Sequence, residues 1–217
     1  MTSLLDYVRD PDRARILEAS RVRKVRKGDV LAHEGEPGAA LYLVESGCIC
    51  VRTTTADGES VILDIVGPGS VLGEMALVRE NMVRTASLIA MQDGAVRVLT
   101  AEAFASLRAQ YPSVNDALLA ILADRVDRLS HQVSDQRFVT LDRRIAARIC
   151  QIADMYGGIE MGTRVPLTQQ DIADLVGATR PTVNQALKKL EARGAIALSR
   201  GGLTIVNGRE LRKRAGL

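Results

Sequence analysis

Between residues 19 and 100 the apolar positions come in short β-branched runs, at 22–25, 41–44, 48–54, 61–66 and 95–99, with glycines such as Gly28, Gly47, Gly58, Gly73 and Gly94 between them. That pattern predicts an all-β unit, a small barrel or roll with helices outside it. Ala56-Asp57-Gly58 supplies a positive-φ position between two strands, and Gly67-Pro68-Gly69 reads as a tight corner. From residue 112 the punctuation stops. No glycine occurs through residue 137, and Leu119, Leu122, Val126, Leu129 and Val133 recur at spacings of three and four. These are the a and d positions of a coiled coil. A helix of about 25 residues is about 37 Å long, and its seam is read as the contact between two copies of the chain. Leu118, Ile121 and Arg125 form a second row able to cover the roll, so packing on its own domain is the alternative use of this helix. Thr140 is placed as the N-cap of a new helix from Leu141, with the hinge just before it.

The last third carries the most specific pattern. Thr168-Gln169-Gln170-Asp171 has an N-cap threonine and an acidic residue three positions on, a capping-box variant, and Ile172, Leu175 and Val176 continue one helical face. Gly177 interrupts it. Thr179 can then cap a second helix, with Pro181 in its first turn where a missing N–H costs least, and with Val183, Leu187 and Leu190 facing inward. Arg180, Gln185, Lys188 and Lys189 are left outside. Two short helices around a glycine turn, the second one basic, form a helix-turn-helix suited to the major groove. The run 196–205, with Gly201-Gly202 at its centre, reads as a hairpin wing. The expected fold class is therefore α+β, with domains at 1–111 (roll), 112–139 (dimerisation helix and hinge) and 140–217 (winged helix-turn-helix).

Composition sharpens this. The chain has 217 residues, 47% of them hydrophobic, a length that suits two domains. Residues 142–217 hold 13 Lys+Arg against 7 Asp+Glu, leaving 16 against 19 in the rest. A basic C-terminal piece on a slightly acidic N-terminal one points to a polyanion partner for the tail. There is no apolar run of 18 residues and no charged-then-apolar start, so no membrane partner is expected and the cytoplasm is the expected location. Cys48, Cys50 and Cys150 are too few for a disulfide framework and are read as reduced thiols.

The stretch GEMALVRENMVRTAS, residues 73–87, sets Glu74 and Arg84 in an apolar neighbourhood. With the order of roll, long helix and winged helix-turn-helix, it resembles the CRP/FNR family of bacterial transcription factors over nearly the whole chain. Gly73-Glu74-Met75-Ala76-Leu77 followed by Arg84-Thr85-Ala86 is similar to that family's phosphate-binding cassette. The resemblance implies a cyclic nucleotide effector: Gly73 for close backbone approach, Glu74 for the ribose hydroxyl, Arg84 and Thr85 for the phosphate, with Met75, Ala76 and Ala86 around them. A buried Glu74–Arg84 ion pair is the plain alternative, and such a pair barely offsets its desolvation. On the long helix Arg125 and Ser130 match the family's purine-reading arginine and one hydroxyl, whereas Leu129 stands where a threonine is expected. The effector is thus cyclic AMP read by other groups, cyclic GMP, or something unrelated, with cyclic AMP preferred.

In the DNA-binding part the resemblance implies Arg180 on guanine, with Thr168, Gln170, Thr182 and Lys188 at the phosphates, Gln185 on the base-reading face, and the cap residue Thr179 also among the DNA-binding residues. Pro181 replaces the glutamate of the cyclic-AMP receptor and Gln185 an arginine, so the half-site should differ there. A homodimer on an inverted repeat follows, with RNA polymerase as a further partner. No metal, iron–sulfur cluster or haem is expected, because three cysteines are too few for a cluster and His33 and His131 read as surface residues. No nucleophile–base constellation is present, so the chain is not read as an enzyme.

Overall fold

The structure, a computed structural model, describes residues 4–8, 10–78 and 83–217. Residues 79–82 of the 73–87 stretch lie outside the described residues. Two compact units result: residues 1–59 with 63–128, and residues 129–217 with 60–62.

The first unit starts with the short helices α1 (Leu4–Tyr7) and α2 (Asp10–Glu18). The strands β1 (Arg21–Val25), β2 (Val30–Ala32), β3 (Ala40–Ser46), β4 (Ile49–Thr54), β5 (Ser60–Val66) and β6 (Val71–Leu72) follow. After the one-turn helix α3 (Met75–Val78) come β7 (Ser87–Ala90), β8 (Gly94–Thr100), α4 (Ala101–Gln110) and the long α5 (Pro112–Phe138). The strands make two four-stranded sheets, ordered β1-β8-β3-β6 and β2-β7-β4-β5. The central strand β3 is buried on both faces, which is why it reads as an unbroken apolar run and not an alternating one. Ala40, Tyr42 and Val44 face a core between the sheets with Ile49, Leu72, Leu88 and Val96. Leu41 and Leu43 face a second core with Phe104 and Leu107 of α4 and Val114, Ala117 and Leu118 of α5.

That second core settles one expectation about α5. Leu122, placed in the seam, packs with Ile121 against the core of its own unit. The other seam residues stand in the open: Leu119 is 65%, Val126 60%, Leu129 53% and Val133 54% exposed.

The second unit contains α6 (Leu141–Met155), β9 (Arg164–Val165), α7 (Gln169–Val176), α8 (Arg180–Ala192), β10 (Ile196–Ser199), β11 (Gly202–Ile205) and α9 (Gly208–Ala215). Its core gathers Ile145, Ile149, Ile172, Val183, Leu187, Ile196 and Leu203. The α7 capping box forms as expected: Thr168 Oγ1 accepts from Asp171 N–H, and the Asp171 carboxylate accepts from Thr168 N–H. Gly177 closes α7 at φ 65°, the left-handed conformation glycine adopts freely. Thr140 and Thr179 occupy the N-cap positions of α6 and α8, yet neither side chain caps. The Thr179 hydroxyl instead meets that of Thr182 at 2.8 Å. The wing hairpin β10–β11 carries a third strand, β9, and α9 closes the chain; neither was anticipated, because two residues and a charge-dense octet show no legible apolar period. Lys189, expected on the outer face of α8, is tied by its Nζ to Asp142 of α6 at 2.9 Å. Among the described residues, no helix is long and apolar enough to cross a membrane.

All three thiols are buried. Burial, with Asp154 nearby, pushes the Cys150 thiol up to about 11, against a smaller lowering from Arg212. Neutral thiol is therefore the folded form at all ordinary pH, and thiolate is the reactive species. Native protein at pH 8 should leave Cys150 unlabelled by a disulfide reagent such as DTNB and release it only in denaturant. Prompt labelling of Cys150 in the native state would contradict its burial.

Candidate functional site

Arg84 follows directly from how the roll closes. Its backbone is fixed on both sides, with Arg84 N–H donating to Glu36 O (2.8 Å) and Gly35 N–H donating to Arg84 O (2.9 Å). The side chain then runs inward and is only 4% exposed. Nη1 donates to Gly73 O at 3.0 Å, Nη2 donates to Ala40 O, and the guanidinium carbon lies 5.5 Å from the centroid of the Tyr42 ring. Two carbonyls and a π-face soften the charge without neutralising it. Among the described residues no carboxylate pairs with Arg84. A guanidinium has five N–H donors, so these contacts leave it capacity for an anion.

Gly73 makes the approach possible. It sits at φ +85°, and a Cβ there would collide with the Arg84 guanidinium and come within 3.0 Å of Ala40 O. The next residue, Glu74, is fully buried. Its Oε1 accepts from Arg125 Nη1 of α5, and its Oε2 has no hydrogen-bond partner among the described residues. The plain alternative is thereby set aside: Glu74 does not pair with Arg84. Met75 and Ala76 begin α3, Ala76 and Ala86 are buried, and Thr85 is exposed. The cassette residues and Arg125 therefore belong to one neighbourhood within the first unit. Ser130 lies exposed on α5 beyond that unit.

In the second unit a cleft of about 420 Å³ opens between the helix-turn-helix and the wing, lined by Thr168, Gln169, Gln170, Arg180, Arg200 and their neighbours. Arg180, Thr182, Gln185 and Lys188 are exposed on α8. Two residues expected at the phosphates have donors already engaged. The Thr168 hydroxyl donates to Asp171 at 2.7 Å, and the Gln170 amide donates to Asp174 at 2.6 Å. What the site offers in their place are first-turn N–H groups of α7, which lack intrahelical acceptors. Sequence reasoning missed Arg200 at the wing tip, whose carbonyl accepts from Arg164 at 3.4 Å, and the Gln169–Asn184 contact between α7 and α8. A basic residue in the wing turn was a usable signal for the first; the second joins positions 15 apart and left none.

A β-roll holding a buried arginine with no carboxylate partner among the described residues, on the same chain as a winged helix-turn-helix, fits a cyclic-nucleotide-binding transcription regulator. The cyclic nucleotide-binding domain family matches residues 22–111 and the Crp-like helix-turn-helix domain family matches residues 143–214. The chain is 34% identical over 192 residues to the CRP-like cAMP-activated global transcriptional regulator of Mycobacterium tuberculosis H37Rv, covering 87% of this chain and 85% of that one. It is 31% identical over 199 residues to the cAMP-activated global transcriptional regulator CRP of Pasteurella multocida, covering 91% and 94%. In fold it is similar to the c-di-GMP responsive global regulator CLP of Xanthomonas campestris, at a TM-score of 0.76, 23% identity, and coverage of 91% and 99%. This chain belongs to the CRP/FNR family of transcription regulators, and it is not an enzyme.

Two glycines separate the roles of conformation and space. Gly73 and Gly58 have φ of +85° and +83°, but a Cβ on Gly58 meets nothing within 4 Å. Each alanine substitution should cost about 1 to 2 kcal/mol for the left-handed backbone. Gly73→Ala should cost measurably more in chemical denaturation, because it also displaces Arg84. Equal losses would show that Gly73 leaves Arg84 untouched.

Proposed function

We propose that this chain is a homodimeric regulator whose operator binding is controlled by a cyclic nucleotide, cyclic AMP, seated beside Arg84. Residues 1–111 serve as sensor, 112–139 as dimerisation helix and hinge, and 140–217 as the DNA-binding domain. The observation that carries this reading is the buried Arg84 guanidinium with no carboxylate partner among the described residues. A cyclic phosphate would neutralise it through charge-assisted hydrogen bonds, with Thr85 and the backbone of Met75, Ala76 and Ala86 around it. The unpartnered Glu74 Oε2 suits a ribose hydroxyl as donor. Arg125 and Ser130 would then serve the purine side. Cyclic AMP is preferred over cyclic GMP because the two curated relatives are named as cAMP-activated. The Xanthomonas regulator, named for c-di-GMP, supports the fold alone.

The exposed row Leu119, Val126, Leu129 and Val133, with Leu122 at its edge, suits a coiled-coil partner, and a second copy of α5 is its natural occupant. In such a dimer α8 of each subunit would enter the major groove. Arg180 would donate twice to guanine O6 and N7, Gln185 would face a neighbouring base, and Thr182, Lys188 and the starts of α7 and α8 at Thr168, Gln170 and Thr179 would meet phosphates. The operator would be an inverted repeat with half-sites centred about 34 Å apart or a multiple of that. RNA polymerase and a cytoplasmic location complete the proposal. The effector acts only by favouring one arrangement of the dimer over another, through its differential affinity for the two. A second reading has its own support. Arg125 already holds Glu74 and two carbonyls already hold Arg84, so a roll that no longer answers to an effector would leave DNA binding constitutive.

Calorimetry with cyclic AMP and cyclic GMP should give saturable heat for the wild type, larger affinity for cyclic AMP, and none for Arg84→Ala. Equal heats for the two proteins would remove Arg84 from the site, and DNA affinity unchanged by either nucleotide would select the constitutive reading. In gel-shift titrations Arg180→Ala should lose sequence preference yet keep weak, salt-sensitive binding; an unchanged footprint would overturn the groove assignment.

A further inference from the structure

Once its buried positions Val183, Ala186, Leu187 and Leu190 are set aside, α8 presents Arg180, Pro181, Asn184, Gln185 and Lys188. Asn184 lies four residues after Arg180 and four before Lys188, so it stands in one row between them. It is half-buried because Gln169, the first residue of α7, reaches it: Gln169 Nε2 donates to Asn184 Oδ1 at 3.1 Å. A primary amide is planar, with one acceptor oxygen and one two-donor nitrogen on opposite arms. With Oδ1 turned to Gln169, Nδ2 turns away from α7. The row Arg180, Asn184, Lys188 then points N–H donors outward, while its one acceptor, Asn184 Oδ1, is engaged by Gln169.

We propose that Gln169 acts as a positioning residue that fixes Asn184 as a donor-only reader of one base pair in each half-site. An asparagine with both amide atoms free to face a base reads adenine, donating to N7 and accepting from N6. In Asn184 that acceptor is engaged by Gln169, which directs it toward α7 and away from the base. Asn184 then reads an edge made of acceptors, guanine N7 and O6 or thymine O4, in preference to adenine, whose single acceptor N7 sits beside an amino donor, and to cytosine, which presents an amino donor alone. The proposal rests on α8 entering the major groove, and it adds a specificity determinant in α7, a helix with no base contact of its own.

The test is selection of bound sequences from a random DNA library by the full-length protein, with and without cyclic AMP, for wild type, Asn184→Ala, Gln169→Ala, Gln169→Glu and Arg180→Ala. Wild type should show guanine or thymine at the Asn184 position, favoured roughly tenfold or more. Asn184→Ala should erase the preference there and nowhere else. Gln169→Ala should admit adenine at that same position. The near-isosteric Gln169→Glu should go further and reverse the preference toward adenine or cytosine, since a carboxylate can only accept and would draw Asn184 Nδ2 to itself, turning Oδ1 outward. Uniformly weaker binding with an unchanged sequence logo in both Gln169 variants would reduce Gln169 to a packing role and overturn the proposal. A logo unchanged in Arg180→Ala as well would instead overturn the groove reading beneath it.

Discussion

The roll is organised around one cost, the burial of the Arg84 charge. A guanidinium taken out of water needs an anion or a dense set of acceptors, and here it receives two backbone carbonyls, from Gly73 and Ala40, and the face of Tyr42. Each contact constrains a different element. Ala40 begins β3, whose double burial fixes where its carbonyl lies. Gly73 must lack a Cβ, and the 35–36 turn must hold the Arg84 backbone by its own hydrogen bonds. The described carboxylate of the same stretch, Glu74, is held by Arg125 instead. The result is a separated pair of buried side chains, Arg84 on two carbonyls and Glu74 on Arg125, with Glu74 Oε2 unmatched among the described residues; the proposed effector would bring an anion to the first and a hydroxyl to the second.

What could be read in advance was local. Gly58 and Gly177 marked turns because positive φ is a property of single positions, and both adopt it. The Thr168–Asp171 capping box was legible because its partners lie three residues apart. The identity of the roll's charged residues was equally visible, but their pairing was not. Glu74 meets Arg125 across 51 positions and Arg84 meets Ala40 across 44, and no residue pattern encodes which of several acceptors a buried cation will choose. Thr140 and Thr179 show the complementary limit. They sit where N-caps belong, yet a rotatable hydroxyl takes whatever partner its surroundings offer, and for Thr179 that partner is Thr182. Leu122 was assigned by heptad spacing alone, which cannot tell the edge of a seam from the edge of a core.

The helix α5 reconciles those two uses. One side carries Leu118, Ile121, Leu122 and Arg125, which meet the core of the first unit or Glu74; the other carries Leu119, Val126, Leu129 and Val133 in the open. Arg125 and Val126 are adjacent residues, about 100° apart around the helix. Because a helix is stiff over a few residues, a change in how Arg125 meets Glu74 would be felt by Val126, the next residue, which belongs to the exposed row. In the proposed dimer, that adjacency would connect chemistry at the buried carboxylate with packing along the exposed row by covalent geometry.

A division of labour also runs through the second unit. Its basic excess, 13 Lys+Arg to 7 Asp+Glu over residues 142–217, would draw any polyanion. Several side chains that could compete for that role are occupied internally: Thr168 and Gln170 by Asp171 and Asp174, Lys189 by Asp142, and Arg214 by Glu210, whose carboxyl is held below its usual range first by that hydrogen bond. Acids of the same unit thus engage Thr168, Gln170 and Lys189, while Arg180, Gln185 and Lys188 stand exposed on α8. General attraction comes from net charge, which any basic surface supplies. Discrimination comes from the few donors that the fold leaves uncommitted and holds in a fixed direction.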